Sequence, residues 1–330
     1  MGLGPSWTKR LPLQALWRTG ICFVLIGVVV FALHLISGMT QGPETYVEMS
    51  RKPPANAQRA DSAVPSPDRL RFAIATMVSA EETFSTYRQF VERISRDVGR
   101  KGAFVLRPSN EQVRRKLEWG EVDVALVCTG TYLRALQSGS IRLLAQPELE
   151  EGASFRSLLV VPADSRVRGW EDLQDGVMAF TDHESFTGFV LPSATLMDLG
   201  HVPDTFFKKI VYTSSHDRSI LAVSRNVIDA AAVDSLVWQS NLRQIPLLKS
   251  RVKVIWQSED YGPPPIVVPK SLDRDLERAL QKALLSLHED EGGRSILSAI
   301  GIKRFVPPKP DAYATAIDLY KKCQHRKGTL

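Results

Sequence analysis

The sequence predicts an α/β protein whose two lobes face each other across a cleft. From residue 69 onward short apolar runs alternate with helical patterns, the arrangement that builds sheets covered by helices. Clusters of small polar residues follow strand ends in both halves: Thr76, Cys128-Thr129-Gly130-Thr131-Tyr132, Ser185-Phe186-Thr187-Gly188 and Ser214-Ser215-His216-Asp217. Ligands of open α/β sheets bind outside the carboxyl ends of the strands. Clusters at such ends in both halves therefore point to one shared cleft. The same alternation predicts mainly parallel sheets.

In chain order, Arg71 to Thr76 reads as a strand, and Tyr87, Val91, Ile94 and Val98 recur at helical spacing up to Gly99. Ala103 to Leu106 is a second strand, Asn110 to Trp119 a helix and Val122 to Val127 a third strand. Thr131 to Leu136 is helical; Ile141 to Leu144 and Ser157 to Val161 are strands. The second half gives strands at Val177 to Phe180, Ile210 to Tyr212, Ile228 to Val233 and Val252 to Trp256, with helices between them. One more strand, Ile266 to Val268, precedes helices at about 272–288, 291–299 and 311–325.

At 330 residues, 44% hydrophobic and 24% charged, the chain has the composition of a folded globular protein. The net charge of +6 is modest. The basic groups Arg114-Arg115-Lys116, Lys208-Lys209 and Lys321-Lys322 are scattered without interleaved aromatics, so no nucleic-acid partner is expected.

The N-terminus carries a membrane address. No Lys, Arg, Asp or Glu occurs from Thr19 to Pro43, and Ile21 to Ile36 is almost continuously apolar. Lys9, Arg10 and Arg18 precede it, which keeps residues 1–18 cytoplasmic as a basic tail and sends the rest across the inner membrane. Residues 19–40 are read as a transmembrane signal anchor, with a cleaved signal peptide as the alternative, since the exit offers no clean small-residue cleavage site. Residues 41–68, rich in Pro, Ala and Ser, read as an extended linker. The folded part is then 69–330, a periplasmic domain with lobe 1 at about 69–162 plus 263–330 and lobe 2 at about 163–262.

Three cysteines, Cys22, Cys128 and Cys323, show no metal-ligand spacing, and a Cys128–Cys323 disulfide is not expected. Neither a metal nor a cofactor is expected. In the Ser185-Phe186-Thr187-Gly188 turn, hydroxyls and a glycine lie where a strand becomes a helix. Free amides there suit a small oxyanion, yet Ser and Thr are also the commonest helix caps. His216 can cap a helix or contact a ligand, and Tyr132 can be a core aromatic or line the cleft. Asp229 reads as a turn residue; Asp234 either orients a ligand-side group or caps the next helix. His183 and Glu184 read as solvent-exposed rim residues. Cys128 lacks a local His partner and reads as a packed thiol.

Taken together, these segments resemble a known family. Asp182-His183-Glu184-Ser185-Phe186-Thr187-Gly188, with Pro192 four residues on and a helix ending at Gly200, is similar to the oxyanion-binding segment of phosphate, phosphite and phosphonate ABC-transporter substrate-binding proteins. Tyr212-Thr213-Ser214-Ser215-His216-Asp217, Ile228-Asp229-Ala230-Ala231-Ala232-Val233-Asp234-Ser235 and Val122-Asp123-Val124-Ala125 with Gly130-Thr131-Tyr132 match further family segments in order and spacing. The resemblance covers roughly residues 69–310. It implies a bilobal type II periplasmic-binding-protein fold behind the N-terminal anchor. It further implies a phosphorus oxyanion held by the hydroxyls of Ser185 and Thr187, the N–H groups of Thr187 and Gly188, and His216. From the first lobe it implies Thr76, Tyr132 and Thr129.

Three departures narrow the expectation. Phe186 replaces a hydroxyl residue and adds bulk to the turn. The position of the family's amine-pairing acid is Leu236, and Gly262-Pro263-Pro264-Pro265 holds no carboxylate, so an aminoalkyl phosphonate would bury its ammonium unpaired. Phosphite, phosphate or a short alkylphosphonate fits better. The third departure is the membrane anchor, where such a receptor is normally free or lipidated. A non-catalytic binding protein serving an ABC permease is thus the expected function. A membrane-tethered sensor for a signalling partner is the alternative, and an enzyme on the same fold is disfavoured because no nucleophile, base and orienting group assemble in the sequence.

Overall fold

The apolar runs fold as strands that sort into two sheets. The computed structural model describes residues 46–48, 68–75, 77–78, 80–105, 109–150 and 154–327. The expected basic tail, the apolar run Ile21 to Ile36 and Thr76 lie outside the described residues. Among those described, no helix is long and apolar enough to cross a membrane.

The first sheet has seven strands in the order β1-β3-β2-β4-β11-β5-β12. These are β1 (Tyr46–Glu48), β2 (Arg69–Ile74), β3 (Lys101–Val105), β4 (Val124–Leu126), β5 (Ile141–Leu149), β11 (Ile266–Pro269) and β12 (Ile302–Val306). Strand β1 falls in the stretch read as linker and pairs antiparallel with β3. The second sheet has five strands in the order β10-β6-β9-β7-β8, namely β6 (Ser157–Pro162), β7 (Val177–Phe180), β8 (Lys209–Tyr212), β9 (Ala230–Asp234) and β10 (Val252–Gln257).

Three differences from the sequence reading follow. Both sheets are mixed, not mainly parallel: each has a parallel core, β3-β2-β4 and β8-β7-β9, flanked by antiparallel strands. The cause is that β11 returns from the other sheet to lie antiparallel between β4 and β5, while β6 lies antiparallel to β9. Second, Ser157–Pro162, assigned above to the first lobe, is a strand of the second sheet. Third, β12 was not expected. It is an edge strand with Lys303 and Arg304 exposed, so its apolar signal reduces to Ile302 and Phe305.

The helices follow their sequence signals. Helix α1 (Ala80–Asp97) buries Tyr87, Phe90, Val91 and Ile94 against the first sheet. Helix α2 (Asn110–Glu118) is capped by Ser109, whose Oγ accepts the Gln112 N–H at 3.3 Å. Helix α3 (Thr129–Ser138) starts directly after β4. In the second lobe α4 (Leu191–Asp198) follows β7, and Gly200 stands at φ +88°, a left-handed position that a side chain would strain. Between β8 and β10 run α6 (His216–Ser224), following the short α5 (Pro203–Phe206), and α7 (Ser235–Gln244). Near the C-terminus, Asp273 caps the helix Arg274–Ser286 by accepting the N–H groups of Asp275 and Leu276, and Leu276, Leu280, Ala283 and Leu284 form its buried stripe.

Candidate oxyanion site

Strands β8, β7 and β9 run parallel side by side, and each carboxyl end delivers a polar cluster. After β7 the chain passes Thr181 to Ser185 and opens a π-helical turn, Phe186–Val190, that continues as α4. Ser185 caps it from an extended backbone, its Oγ accepting the Gly188 N–H at 3.0 Å. The cap reading is therefore correct for the lone pairs of Ser185, and the Gly188 amide is committed to it. The Phe186 N–H goes to Cys128 Sγ at 3.3 Å, and the N–H groups of Phe189 and Val190 go to the Ser185 carbonyl. Thr187 supplies the amide of the turn with no acceptor among the described residues. A Cβ on Gly188 would stand 2.0 Å from Thr181 Oγ1 and 2.9 Å from His216 Cε1, so only glycine lets these chains meet.

After β8, Ser214 takes φ 66° and turns the chain into α6, which starts at His216. His216 is buried, and burial lowers its imidazole to about 3, so the ring is neutral. Its Nδ1 accepts the Asp234 N–H at 3.0 Å, which assigns the ring proton to Nε2. That Nε2 lies 3.5 Å from Ser185 Oγ. After β9, Asp234 caps α7: its Oδ1 accepts the N–H groups of Leu236 at 2.7 Å and Val237 at 3.3 Å. Its Oδ2 accepts the Thr187 hydroxyl at 3.3 Å. The cap, one of the two alternatives foreseen for Asp234, is present. Burial raises its carboxyl to about 6, against the pull of the two amides and Thr187. The Thr187 carbonyl in turn accepts the Ser157 hydroxyl at 2.6 Å.

The first lobe closes on this cluster through β4 and α3. Gly130 packs so tightly that a Cβ would come 2.1 Å from the Glu184 carbonyl oxygen. Beside it the Thr129 hydroxyl donates to the Gly262 carbonyl at 2.9 Å, between the sheets, and is thereby committed. Tyr132 is buried with its ring 4.9 Å from that of Tyr313, whose hydroxyl donates to the Pro263 carbonyl at 2.8 Å. Tyr132 thus packs beside the inter-lobe crossing, the core-aromatic alternative. The His216 N–H donates to the Met77 carbonyl at 3.0 Å, a second tie between lobes. Ser185, Thr187, Gly188 and His216 come together; Thr129 and Tyr132 stand on the facing wall.

Two sequence readings need correction. Glu184 is 6% exposed, not a rim residue, and pairs with Arg114 of α2 at 3.0 Å and Arg134 of α3 at 3.3 Å. Burial raises its carboxyl, with the Arg114 charge pulling the other way. The neighbouring His183 is exposed, its ring 4.0 Å from that of Tyr212. Phe186 adds no bulk to the ligand turn. Its side chain is wholly buried with its ring 4.9 Å from Tyr261.

Three buried hydroxyls, Thr131 Oγ1, Thr181 Oγ1 and Ser215 Oγ, have no hydrogen-bond partner among the described residues. A buried hydroxyl is normally satisfied, so all three are candidate ligand contacts that sequence reasoning passed over. Their signal was available: each belongs to or adjoins a strand-end cluster. Next to the cluster is a cavity of about 120 Å³ whose lining includes Met77, Val78, Tyr87, Leu236, Val237 and Arg243. It adjoins the site because Met77 accepts from His216 and Leu236 donates to Asp234.

The geometry speaks against a hydrolytic Ser–His pair. The nitrogen facing Ser185 is the one that bears the proton, so His216 cannot take the Ser185 proton as a base. Cys128 is buried, its thiol pushed up to about 11 by burial, and carries no disulfide. Among the described residues no group of three His, Cys, Asp or Glu could hold a metal ion.

Comparison with known proteins bears on the family and the fold. The sequence family described as "ABC transporter, phosphonate, periplasmic substrate-binding protein" matches residues 72–313. A probable ABC transporter phosphite binding protein of Prochlorococcus marinus (strain MIT 9301) is 24% identical over 199 residues, 57% of this chain and 66% of that protein. The phosphonates-binding periplasmic protein of Escherichia coli (strain K12) is 21% identical over 253 residues, 75% of this chain and 73% of that protein. The alignment with the first of these spans a little under two thirds of its length. Among solved structures, the Prochlorococcus marinus protein in complex with methylphosphonate superposes with a TM-score of 0.71 at 20% identity, over 78% of this chain and 99% of that one. A binding protein component of an ABC phosphonate transporter from Pseudomonas aeruginosa gives a TM-score of 0.74 at 20% identity, over 78% and 86%. At that identity the likeness shows the fold, the bilobal type II periplasmic-binding-protein architecture.

Proposed function

The chain belongs to the periplasmic phosphonate substrate-binding family of ABC transporters, and from that premise we propose that it binds a small phosphorus oxyanion between its lobes and delivers it to an ABC permease. Phosphite, phosphate or a short alkylphosphonate is the ligand class. The observation that carries this reading is the convergence of Ser185, Thr187 and His216 at the ends of three parallel strands, under a lobe that closes on them. Ser185 keeps its proton for the ligand, because its Oγ already accepts from Gly188. The Nε2–H of His216 and the Thr187 amide add donors of no net charge. Thr131, Thr181 and Ser215 complete the cage from both lobes, and Thr129 and Tyr132 shape the facing wall. Thr76, which lies outside the described residues, is a further first-lobe contact in this reading.

The cavity beside Leu236 takes the ligand's substituent. Its Met77, Val78, Leu236 and Val237 side chains suit a short alkyl group, and Glu82 and Glu150 line the same cavity, so the case against an ammonium-bearing tail rests on Leu236 alone. In this reading the protein binds and releases without breaking a bond. The apolar run Ile21 to Ile36 behind Lys9, Arg10 and Arg18 tethers it to the periplasmic face of the inner membrane. Mass spectrometry of the mature N-terminus tests that part: loss of residues 1–40 would replace the tether by a cleaved signal peptide.

Thermal unfolding with methylphosphonate, phosphite and phosphate tests the ligand class. A ligand at 100 times its Kd stabilises by about 2.7 kcal/mol, a shift of a few degrees for a chain of this size. Ser185→Ala should weaken binding at least tenfold while the fold persists. No shift with any of the three anions would refute the oxyanion reading.

A further inference from the structure

The polarity of the hydrogen bonds at the turn carries more than an anion site. This inference rests on the oxyanion reading above. Thr187 has one hydroxyl proton, and that proton goes to Asp234 Oδ2. Toward the ligand Thr187 Oγ1 therefore presents lone pairs only. Asp234 is 1% exposed; among the described residues its partners are two backbone amides and a hydroxyl, with no cation. The side chains facing it are Tyr87 of α1, Cys128 at the start of α3 and His216 of α6. The first two are made harder to ionise by its charge, and the last gives it no proton, since Nδ1 is an acceptor. A fully ionised tetrahedral anion set here would oppose a lone pair backed by a buried carboxyl group. One proton must lie in the chain from ligand to Thr187 to Asp234.

We propose that the ligand supplies that proton: the site selects a singly protonated phosphorus oxyanion, whose P–OH donates to Thr187 Oγ1 as Thr187 donates to Asp234. Asp234 and Thr187 are then specificity determinants, reading protonation where Ser185, His216 and the Thr187 amide read negative charge. The donors accept any tetrahedral oxyanion. The Thr187–Asp234 pair rejects those without an acidic hydrogen, as a buried polar group left unpaired does.

Methylphosphonate monoanion and methanesulfonate are the probes, alike in shape and charge and differing by this one proton. Titration calorimetry of the full chain near pH 7, where the Asp234 carboxyl is mostly ionised, should show methylphosphonate binding at least tenfold tighter. In Asp234→Asn the side-chain amide can donate to Thr187 Oγ1 and turn the Thr187 hydroxyl toward the ligand. The preference should then fall at least tenfold, with methanesulfonate gaining. Thr187→Val, which removes the acceptor without touching the cap of α7, should also erase the preference and serves should the Asn variant fail to fold. Equal binding of the two probes by the unaltered protein, or an unchanged preference in whichever of the two variants folds, overturns the proposal. Failure of the unaltered protein to bind methylphosphonate, phosphite or phosphate instead overturns the oxyanion reading beneath it.

Discussion

Asp234 and His216 should make opposite contributions to stability across mildly acidic pH, and replacing Asp234 by Asn should uncover one of them. Burial lifts the Asp234 carboxyl from 3.8 to about 6. The folded state then holds a proton that the unfolded chain has lost. The stability this gives is full below about pH 4 and is lost as pH rises through 6. That rise in the carboxyl pKa, at about 1.4 kcal/mol for each tenfold change in proton affinity, makes the loss about 3 kcal/mol. Burial drives His216 the other way, from 6.5 to about 3. Its neutral ring favours the folded state above pH 6.5, and that contribution is lost as pH falls toward 3. Between pH 4 and 6 the two slopes oppose each other.

In Asp234→Asn the amide oxygen can still accept the N–H groups of Leu236 and Val237, so the cap of α7 survives. The carboxyl titration disappears and the His216 slope remains. Urea unfolding at pH 4, 5, 6 and 7, followed by far-ultraviolet circular dichroism, gives the difference in stability between variant and unaltered protein. Taking the difference cancels every group common to both. It should climb by about 3 kcal/mol in favour of the variant from pH 4 to pH 7. A difference constant with pH would refute the burial argument for Asp234.

Other outcomes follow from single contacts. Gly130→Ala places a Cβ against the Glu184 carbonyl oxygen at 2.1 Å. It should hold the lobes apart, raise the radius of gyration in X-ray scattering and weaken methylphosphonate binding at least tenfold; unchanged scattering and affinity would show that the lobes absorb the clash. Glu184→Gln leaves Arg114 with Glu118 at 2.8 Å and should weaken closure, read as lower affinity with little change in melting temperature. Phe186→Ala empties a wholly buried site beside Tyr261 and should cost about 3–5 kcal/mol in urea unfolding, whereas a ring directed at the ligand would cost affinity and spare the fold.

How far the sequence disclosed this molecule depended on whether the governing interaction was local. Helix starts at Ser109 and Asp273 declare themselves within three residues, and the apolar stripes at Leu276 and Leu280 repeat within a turn. Strand direction has no such local mark. Val267 looks alike whether its neighbour runs parallel or antiparallel, so the mixed order of the sheets needed the tertiary structure. Lobe membership of Ser157–Pro162 failed for the same reason, because its partners, β9 and β10, lie far along the chain. At the site, the strand-end clusters were legible because chain order places them, whereas the role of each atom was not. Glu184 looked like a rim residue until Arg114, 70 positions earlier, was found against it.

Ser185 and Thr187 show what such partners decide. Their sequence neighbourhoods are nearly the same, two hydroxyls in one turn. Gly188 uses the lone pair of Ser185 and leaves its proton, while Asp234, 47 positions on, uses the proton of Thr187 and leaves its lone pairs. Sequence treated both as donors to one anion. In the proposed site they serve as a donor and an acceptor, and a site holding one of each would distinguish an acid from its conjugate base where two donors could not.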